Sequence, residues 1–262
     1  MPKLADVRVR DRFDQRDVSG GLADDPKIQL RTRMFEEMIP HDVEPILDVG
    51  CGEGAITNRL ARTWEVVGVD TSSTALSHLE TTAIEASATR LPLADDSFDL
   101  VLSSEMLEHM PRKEYVAALA EMRRVTRRYL LISVPYREDL AFRNVRCPGC
   151  NWRGHVWGHR QSLTGRIAHR RSRRIQRGRD AYIRTATAAV MARLVVTDGP
   201  SCLRCYYYAP GQHPLCERCG NTDFTGQRGI HSALQRINRL LQSRSRPTMP
   251  FSLAVLAVGE GR

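Results

Sequence analysis

The sequence predicts an α/β fold built on a doubly wound, mainly parallel sheet. Three observations carry this reading. Short apolar runs rich in β-formers alternate with amphipathic stretches from residue 45 to 134. The first run, Ile46–Val49, enters a turn containing Gly50, Gly52 and Gly54. The second run ends in an acid, Asp70, about twenty residues after the first of those glycines. In sheets of this kind ligands sit beyond the carboxyl ends of the strands. Gly50–Gly54, Asp70 and Ser103–Glu105 all fall there.

Taken in order, residues 1–28 are charged and weakly periodic, with a break at Gly20-Gly21, and read as an N-terminal arm. Leu30, Met34, Phe35 and Met38 lie at helical spacing, and Pro40 stops that helix. A strand over Pro45–Val49 follows, then the glycine turn and a helix carrying Ala55, Ile56, Leu60 and Ala61. A strand ends at Asp70. Thr71-Ser72-Ser73 offers an N-cap to a helix beginning at Ala75–Leu79. Thr82–Ala86 reads as a short strand and Phe98–Ser103 as one buried on both faces. Pro111–Arg123 is a helix with Tyr115, Ala118, Leu119 and Met122 inward, and Tyr129–Val134 is a strand stopped by Pro135. Beyond it, a helix is expected over Ala181–Met191, a strand over Arg193–Thr197, a helix over Ile230–Leu241 and a strand over Leu253–Val258.

A chain of 262 residues can bury a full α/β core plus an appendage. It holds no run of 18 apolar residues, so no membrane span is expected. The first residues lack the apolar stretch of a signal peptide, and a cytoplasmic, reducing setting is the expectation. The net charge of +9 points weakly to an anionic partner, because of 39 basic residues only Lys3, Lys27 and Lys113 are lysine. Such an arginine excess is what GC-rich codon usage produces. The charge concentrates in Arg160–Arg179 and Arg228–Arg246.

Glycines in the turn remove Cβ atoms, admit positive φ angles and allow a ligand to approach the backbone closely. The N–H groups at the start of the following helix are expected to face the same space. An acid placed like Asp70 can accept hydrogen bonds from both hydroxyls of a ribose. Asp48-Val-Gly-Cys-Gly-Glu-Gly54, Val69-Asp70 and the stretch Arg90–Met110 (RLPLADDSFDLVLSSEMLEHM) occur in one order with fixed gaps. Together they resemble a class I S-adenosylmethionine-dependent methyltransferase, over roughly residues 30–140. The resemblance implies a Rossmann-like, seven-stranded sheet whose last two strands form a hairpin, for which Val195–Thr197 and Leu253–Val258 are the candidates. It implies S-adenosyl-L-methionine as cofactor, held by Asp48, Gly50, Cys51, Gly52, Gly54, Asp70, Thr71, Ala88 and Ser104. Relatives often place an acid before the alanine to meet the adenine amine. Here Ser87 stands there, so no carboxylate contact is expected at that point.

Six of seven cysteines form three C-x-x-C pairs, Cys147/Cys150, Cys202/Cys205 and Cys216/Cys219. Two thiolates on one tight turn suit a shared tetrahedral Zn²⁺. Cys51, in the glycine turn, reads as a small residue that fits there. Spacing alone favours a ribbon of Cys202, Cys205, Cys216 and Cys219, leaving Cys147 and Cys150 to join His155 and His159. A second resemblance favours another pairing. Val134-Pro135-Tyr136-Arg137-Glu138, Cys147-Pro-Gly-Cys150, His155-Val-Trp-Gly-His159-Arg160 and Cys216-Glu-Arg-Cys219 match methyltransferases of glycan and secondary-metabolite gene clusters. That likeness implies one structural zinc on Cys147, Cys150, Cys216 and Cys219, with Cys202 and Cys205 as alternative ligands. It yields a zinc-ribbon-like excursion over the acceptor side. The expected division is an arm over 1–28, a cofactor-binding core over 29–140, a zinc-binding insert over 141–228 and a closing helix and strand over 229–262.

After Arg160 the chain departs from those relatives. The dense arginines of 166–179 would repel one another in a folded helix. They read as a solvated insert, a basic arm for an anionic acceptor, or a reading-frame slip. Methyl transfer needs in-line placement of nucleophile, methyl and sulfonium, and an alcohol acceptor also needs a base. Glu105 and His109, just after the fourth strand, are the catalytic candidates, although a histidine there also caps or packs a helix. Glu105, Glu108, His109 and His159 in addition resemble the metal site of small-RNA 3′-terminal 2′-O-methyltransferases, a group to which the cysteine pairs are foreign. The expected acceptor is a small molecule or glycan, methylated on oxygen or nitrogen. Nucleic acid is the less favoured partner. The alternatives are an RNA methyltransferase, or a zinc-ribbon binding module on an inactive methyltransferase fold.

Overall fold

The computed structural model describes residues 22–135, 140, 144–155, 157–162, 181–185, 216, 218–221 and 251–257. The elements are α1 (Pro26–Met38), β1 (Ile46–Val49), α2 (Thr57–Leu60), β2 (Val66–Asp70), α3 (Ser73–Leu76), β3 (Thr82–Glu85), β4 (Phe98–Ser104), α4 (Arg112–Val125), β5 (Thr126–Pro135), β6 (Asn144–Arg146), β7 (Arg153–His155), β8 (Ala181–Thr185) and β9 (Phe251–Ala257), with 3-10 turns at Leu22–Asp24 and Leu107–His109. Seven strands form one sheet in the order β3-β2-β1-β4-β5-β9-β8, and β6 and β7 pair separately. β1 to β5 are parallel, whereas β9 runs antiparallel to both β5 and β8.

Both faces of the sheet are covered, as a parallel sheet requires. Alternate residues of each strand point to opposite faces. Leu47, Val49, Val101, Leu130 and Ile132 meet Tyr115, Ala118, Met122 and Val125 of α4. Ile46, Leu100, Leu102 and Leu131 on the other face meet Phe35 of α1, Leu60 of α2 and Trp64. This double burial explains why β4 reads as a nearly continuous apolar run. Its one acid, Asp99, is buried and accepts a charge-assisted hydrogen bond from Arg127 at 2.6 Å.

The loop before β4 is pinned to α4 by one side chain. Arg124 donates to the carbonyls of Leu91 and Leu93, to Asp95 and to both carboxylate oxygens of Glu121. Glu121 in turn accepts from the Leu91 N–H at 2.8 Å. The stretch leading into β4 is therefore held in one conformation, which fixes where β4 ends.

The helices flanking the first turns are shorter than expected. α2 and α3 have four residues each, and Ser72 caps α3 by accepting from the Ala75 N–H at 3.1 Å. One expected element is corrected. Ala181–Thr185 is strand β8 and not the start of a helix over 181–191. Tyr182, Ile183 and Thr185 are β-forming residues, and pairing with β9 overrides the weak helical spacing. This strand takes the hairpin position expected for Val195–Thr197. The arm before residue 22, residues 163–180, the strand at 193–197, Cys202, Cys205 and the helix at 230–241 lie outside the described residues. Among the described residues no helix is long and apolar enough to cross a membrane.

Candidate functional site

The carboxyl ends of β1, β2 and β4 converge on the glycine turn. Gly50, Gly52 and Gly54 all have positive φ, at 76°, 53° and 79°. A Cβ on Gly50 would lie 2.5 Å from Met106 Cγ, whereas a Cβ on Gly52 would meet nothing within 4 Å. The turn is thus packed beneath and open above, a shape that admits a ligand against the backbone at Gly52. Within the turn itself the backbone N–H groups are already engaged. The N–H groups of Gly50 and Cys51 donate to Val69 O and that of Gly54 to Cys51 O. Gly52 N–H donates to Asp70 Oδ2 at 2.9 Å. The turn works by close approach and less by anion capture.

Asp70 also accepts from Ser72 N–H, through Oδ1, at 3.0 Å. An ionised carboxylate offers about four acceptor sites, so this acid is oriented and still has acceptor capacity. The Ala86 N–H donates to Asp70 O at 2.9 Å, tying the exit of β3 to the same point. Thr71 is exposed beside Asp70 and Ala88 is buried. Ser87 and Thr89 hydroxyls lie 2.8 Å apart where a carboxylate was not expected. Beneath the turn, Asp48 is 2% exposed and accepts from Thr57 Oγ1 at 2.7 Å. Burial pushes its carboxyl up to about 7; the Thr57 hydrogen bond opposes this and the nearby Asp70 charge adds to it. Burial, with the Asp48 and Asp70 charges, likewise pushes the Cys51 thiol up, so it is no thiolate nucleophile.

At the end of β4 the chain turns sharply. Glu105 has a positive φ of 54°, and its N–H donates to Ser133 O on β5 at 2.9 Å. Its carboxylate accepts from Ser133 Oγ at 3.0 Å and lies 3.7 Å from the Arg31 guanidinium. Arg31 also donates to Ser104 Oγ at 3.3 Å. Arg31 comes from α1, 73 residues before Ser104, and no pattern in the sequence marks it. Met106 and Ser133 were missed as well, although the position of Ser133 near the carboxyl end of β5 is a topological signal for it.

Glu105 stands apart from Glu108, His109 and His159, whose ligand atoms lie within 4.8 Å of one another. Four cysteines form a second group: Cys147, Cys150, Cys216 and Cys219 offer sulfurs within 4.8 Å of one another. Cys147 Sγ is 3.6 Å from Cys219 Sγ, and Cys150 Sγ is 3.6 Å from Cys216 Sγ. Burial pushes the Cys216 thiol up to about 12. Burial acts the same way on Cys147, but the N–H groups of Cys150 and Gly149 and the Cys216 and Cys219 thiols bring it down to about 7. Cys216 and Cys219 of the ribbon favoured by spacing stand with Cys147 and Cys150, Cys202 and Cys205 lie outside the described residues, and neither His155 nor His159 belongs to the group of sulfurs. Their rings stack on each other, centroids 4.5 Å apart, and His159 meets the His109 ring edge-on.

Residues 46–128 match the family model of a methyltransferase domain. Over that segment the chain is similar to a methyltransferase domain. A ubiquinone biosynthesis O-methyltransferase of Albidiferax ferrireducens is 34% identical over 94 residues, 31% of this chain and 37% of that protein. An uncharacterised methyltransferase of Mycobacterium sp. (strain JLS) is 33% identical over 165 residues, 58% of this chain and 59% of its own length. The chain therefore spans less than two thirds of these relatives. In fold, a crystal structure described as a SAM-dependent methyltransferase from Archaeoglobus fulgidus aligns with a TM-score of 0.53 at 16% identity, over 88% of this chain and 94% of that one. The matched segment lies within a sheet that extends past it to β9 and β8.

Proposed function

We propose that this chain transfers a methyl group from S-adenosyl-L-methionine to an oxygen or nitrogen of a small-molecule or glycan acceptor. The observation that carries the reading is the glycine turn: packed against Met106 at Gly50, open at Gly52, with Asp70 held beside it by two backbone N–H groups. The cofactor supplies an electrophilic methyl on a sulfonium. Gly50, Cys51, Gly52 and Gly54 give it a backbone surface, Asp48 supports that surface from below, and Asp70 with Thr71 receives the ribose. Ala88 and Ser104 border the adenine and methionine ends. Glu105 or His109 takes the acceptor's proton, and the Arg31 guanidinium, 3.7 Å from the Glu105 carboxylate, fixes its position.

Cys147, Cys150, Cys216 and Cys219 would hold a structural zinc. A tetrahedral Cys₄ set is the chemistry such a site calls for, and the four sulfurs already stand together. In this reading 29–140 is the cofactor core, 141–228 a zinc-held rim on the acceptor side and 229–262 the closing segment. Binding an acceptor to such a rim is the part of the proposal with the widest choice of chemistry.

Calorimetric titration with S-adenosylhomocysteine tests the cofactor half. One-to-one binding that disappears in Asp70→Ala is expected. A chain that binds no S-adenosylhomocysteine would leave only an inactive fold carrying a metal-binding rim. Retention on RNA with a steep salt dependence would move the acceptor to nucleic acid.

A further inference from the structure

We propose that Ser87 and Thr89 are the base-selecting residues of the cofactor site, and that this pair of neutral hydroxyls accepts a purine bearing either a 6-amino or a 6-oxo group. The inference rests on the cofactor reading above and concerns how that ligand is told apart from its nearest analogue.

The placement follows from the sheet. β1, β2 and β3 are neighbours, with β3 at the edge. Asp70 pairs in register with Glu85, so residues 86–89 leave β3 at the level of the acid assigned to the ribose. The glycine turn after β1 lies on one side of that acid. The base of a ligand spanning both therefore extends to the other side, over the exit of β3. The Ser87–Arg90 turn stands there. Ala86 N–H donates to Asp70 O and Arg90 N–H donates to Ser87 O, each at 2.9 Å. Leu91 N–H donates to Glu121 at 2.8 Å, and Ala88 and Leu91 are buried in the core. The turn is thus held at both ends.

On this frame the Ser87 and Thr89 hydroxyls lie 2.8 Å apart, in a contact where either oxygen can be the donor. Thr89 N–H also donates to Ser87 Oγ, at 3.3 Å. The stretch Ala86–Thr89 contains no acid, and Glu121 is committed to Leu91 N–H and Arg124. An ionised carboxylate only accepts hydrogen bonds, whereas a hydroxyl donates one and accepts up to two. Adenine presents an amine donor at position 6 beside an acceptor at N1. Hypoxanthine presents an acceptor at O6 beside an N1–H donor. Exchanging one base for the other reverses both polarities.

The hydroxyl pair can follow that reversal. When Ser87 donates to Thr89, Ser87 keeps a lone pair for the amine and Thr89 keeps its hydrogen for N1. When Thr89 donates to Ser87, Ser87 keeps its hydrogen for O6 and Thr89 keeps a lone pair for the N1–H. A carboxylate at residue 87 would instead meet O6 with its own lone pairs. Polar pockets select strongly because the wrong ligand leaves a buried group unpaired. Here neither base does so, and selection at position 6 is weak.

Calorimetric titration of the full chain with S-adenosylhomocysteine and with S-inosylhomocysteine tests this. In the native chain the two dissociation constants should differ by less than about tenfold. In Ser87→Asp the inosyl ligand should fall behind by more than about tenfold. Ser87→Ala removes the hydroxyl that serves both bases, and should weaken both ligands by a similar factor of about three to ten. A merely structural role for Ser87 would not move the ratio of the two affinities. The proposal is overturned by a native chain that rejects the inosyl ligand more than about tenfold, or by a ratio that stays the same in Ser87→Asp. Unchanged affinity for both ligands in Ser87→Ala also overturns it, and this arm decides if melting curves show that Ser87→Asp does not fold. Failure of the cofactor reading looks different. The native chain then binds neither ligand and both readings fall, whereas under the proposal both ligands bind and both are lost in Asp70→Ala.

Discussion

The two halves of the candidate site are built in opposite ways. The glycine turn, Asp48 and Asp70 belong to one β1–α2–β2 unit, and every hydrogen bond that shapes the turn joins residues within it. The cysteine rim is assembled from far-apart pieces: the two closest sulfur pairs are separated by 72 and 66 residues along the chain. A local motif is fixed by folding of the sheet itself. A long-range cluster has to meet the entropy of closing long loops, a cost that the proposed zinc would offset. The cofactor half should therefore tolerate loss of the rim, while the rim, on that proposal, should not tolerate removal of zinc.

The largest effect is expected from Gly50→Ala. The added Cβ would sit 2.5 Å from Met106 Cγ and 2.9 Å from Met106 Cβ, at a φ of 76°. Left-handed backbone alone costs a non-glycine residue about 1–2 kcal/mol, and the overlap forces the Glu105–His109 turn to move. Loss of S-adenosylhomocysteine binding and a lower melting temperature are expected together. Unchanged affinity by calorimetry would refute the packed-turn account. Second in size is Cys216→Ser, which should remove the cysteine-bound zinc, detected as loss of cobalt charge-transfer absorption, and leave S-adenosylhomocysteine affinity intact. A fall in both would show that the halves are not independent.

Gly52→Ala should give a smaller and more selective effect. Its Cβ meets nothing within 4 Å, although φ is 53°. Stability should drop by only about 1 kcal/mol, while the methyl group intrudes on the open side of the turn. Affinity for S-adenosylhomocysteine should fall about tenfold or more, equivalent to roughly 1.4 kcal/mol. If melting temperature falls as far as in Gly50→Ala, the open side is a packing surface and not a ligand surface.

The same contrast explains what could be read from the sequence. β1, β2, β4 and β5 are legible because apolar β-formers buried on both faces leave an unbroken signal, and Asp70 is legible because its distance from Gly50 is fixed by one crossover. Arg31 is not legible, because its partners Ser104 and Glu105 are brought to it only by α1 packing through Phe35. β8 was assigned to a helix because Ala181–Thr185 has no strong period of its own; its partner β9 lies some seventy residues later, and only pairing decides it. His159 was legible as one member of a pair with His155, but its contact with His109 depends on the rim folding back onto the turn after β4.

Asp48 offers the finest probe of the cofactor half. Burial raises its carboxyl from 3.8 to about 7 in the folded chain. Between those values the folded state holds a proton that the unfolded chain has lost. The contribution of Asp48 to stability is therefore greatest below about 4, declines as pH rises towards about 7 and levels off above it. The shift sets an upper limit of roughly 4 kcal/mol on that decline. Urea denaturation across pH 5 to 8 should show the slope, and Asp48→Asn, which cannot ionise, should flatten it. A cationic ligand over the turn favours the ionised acid, so binding of S-adenosyl-L-methionine near pH 6 should release a proton. That release would be read as buffer-dependent heat in calorimetry, and its absence together with parallel slopes for both chains would mean that Asp48 stays protonated and serves only to hold Thr57.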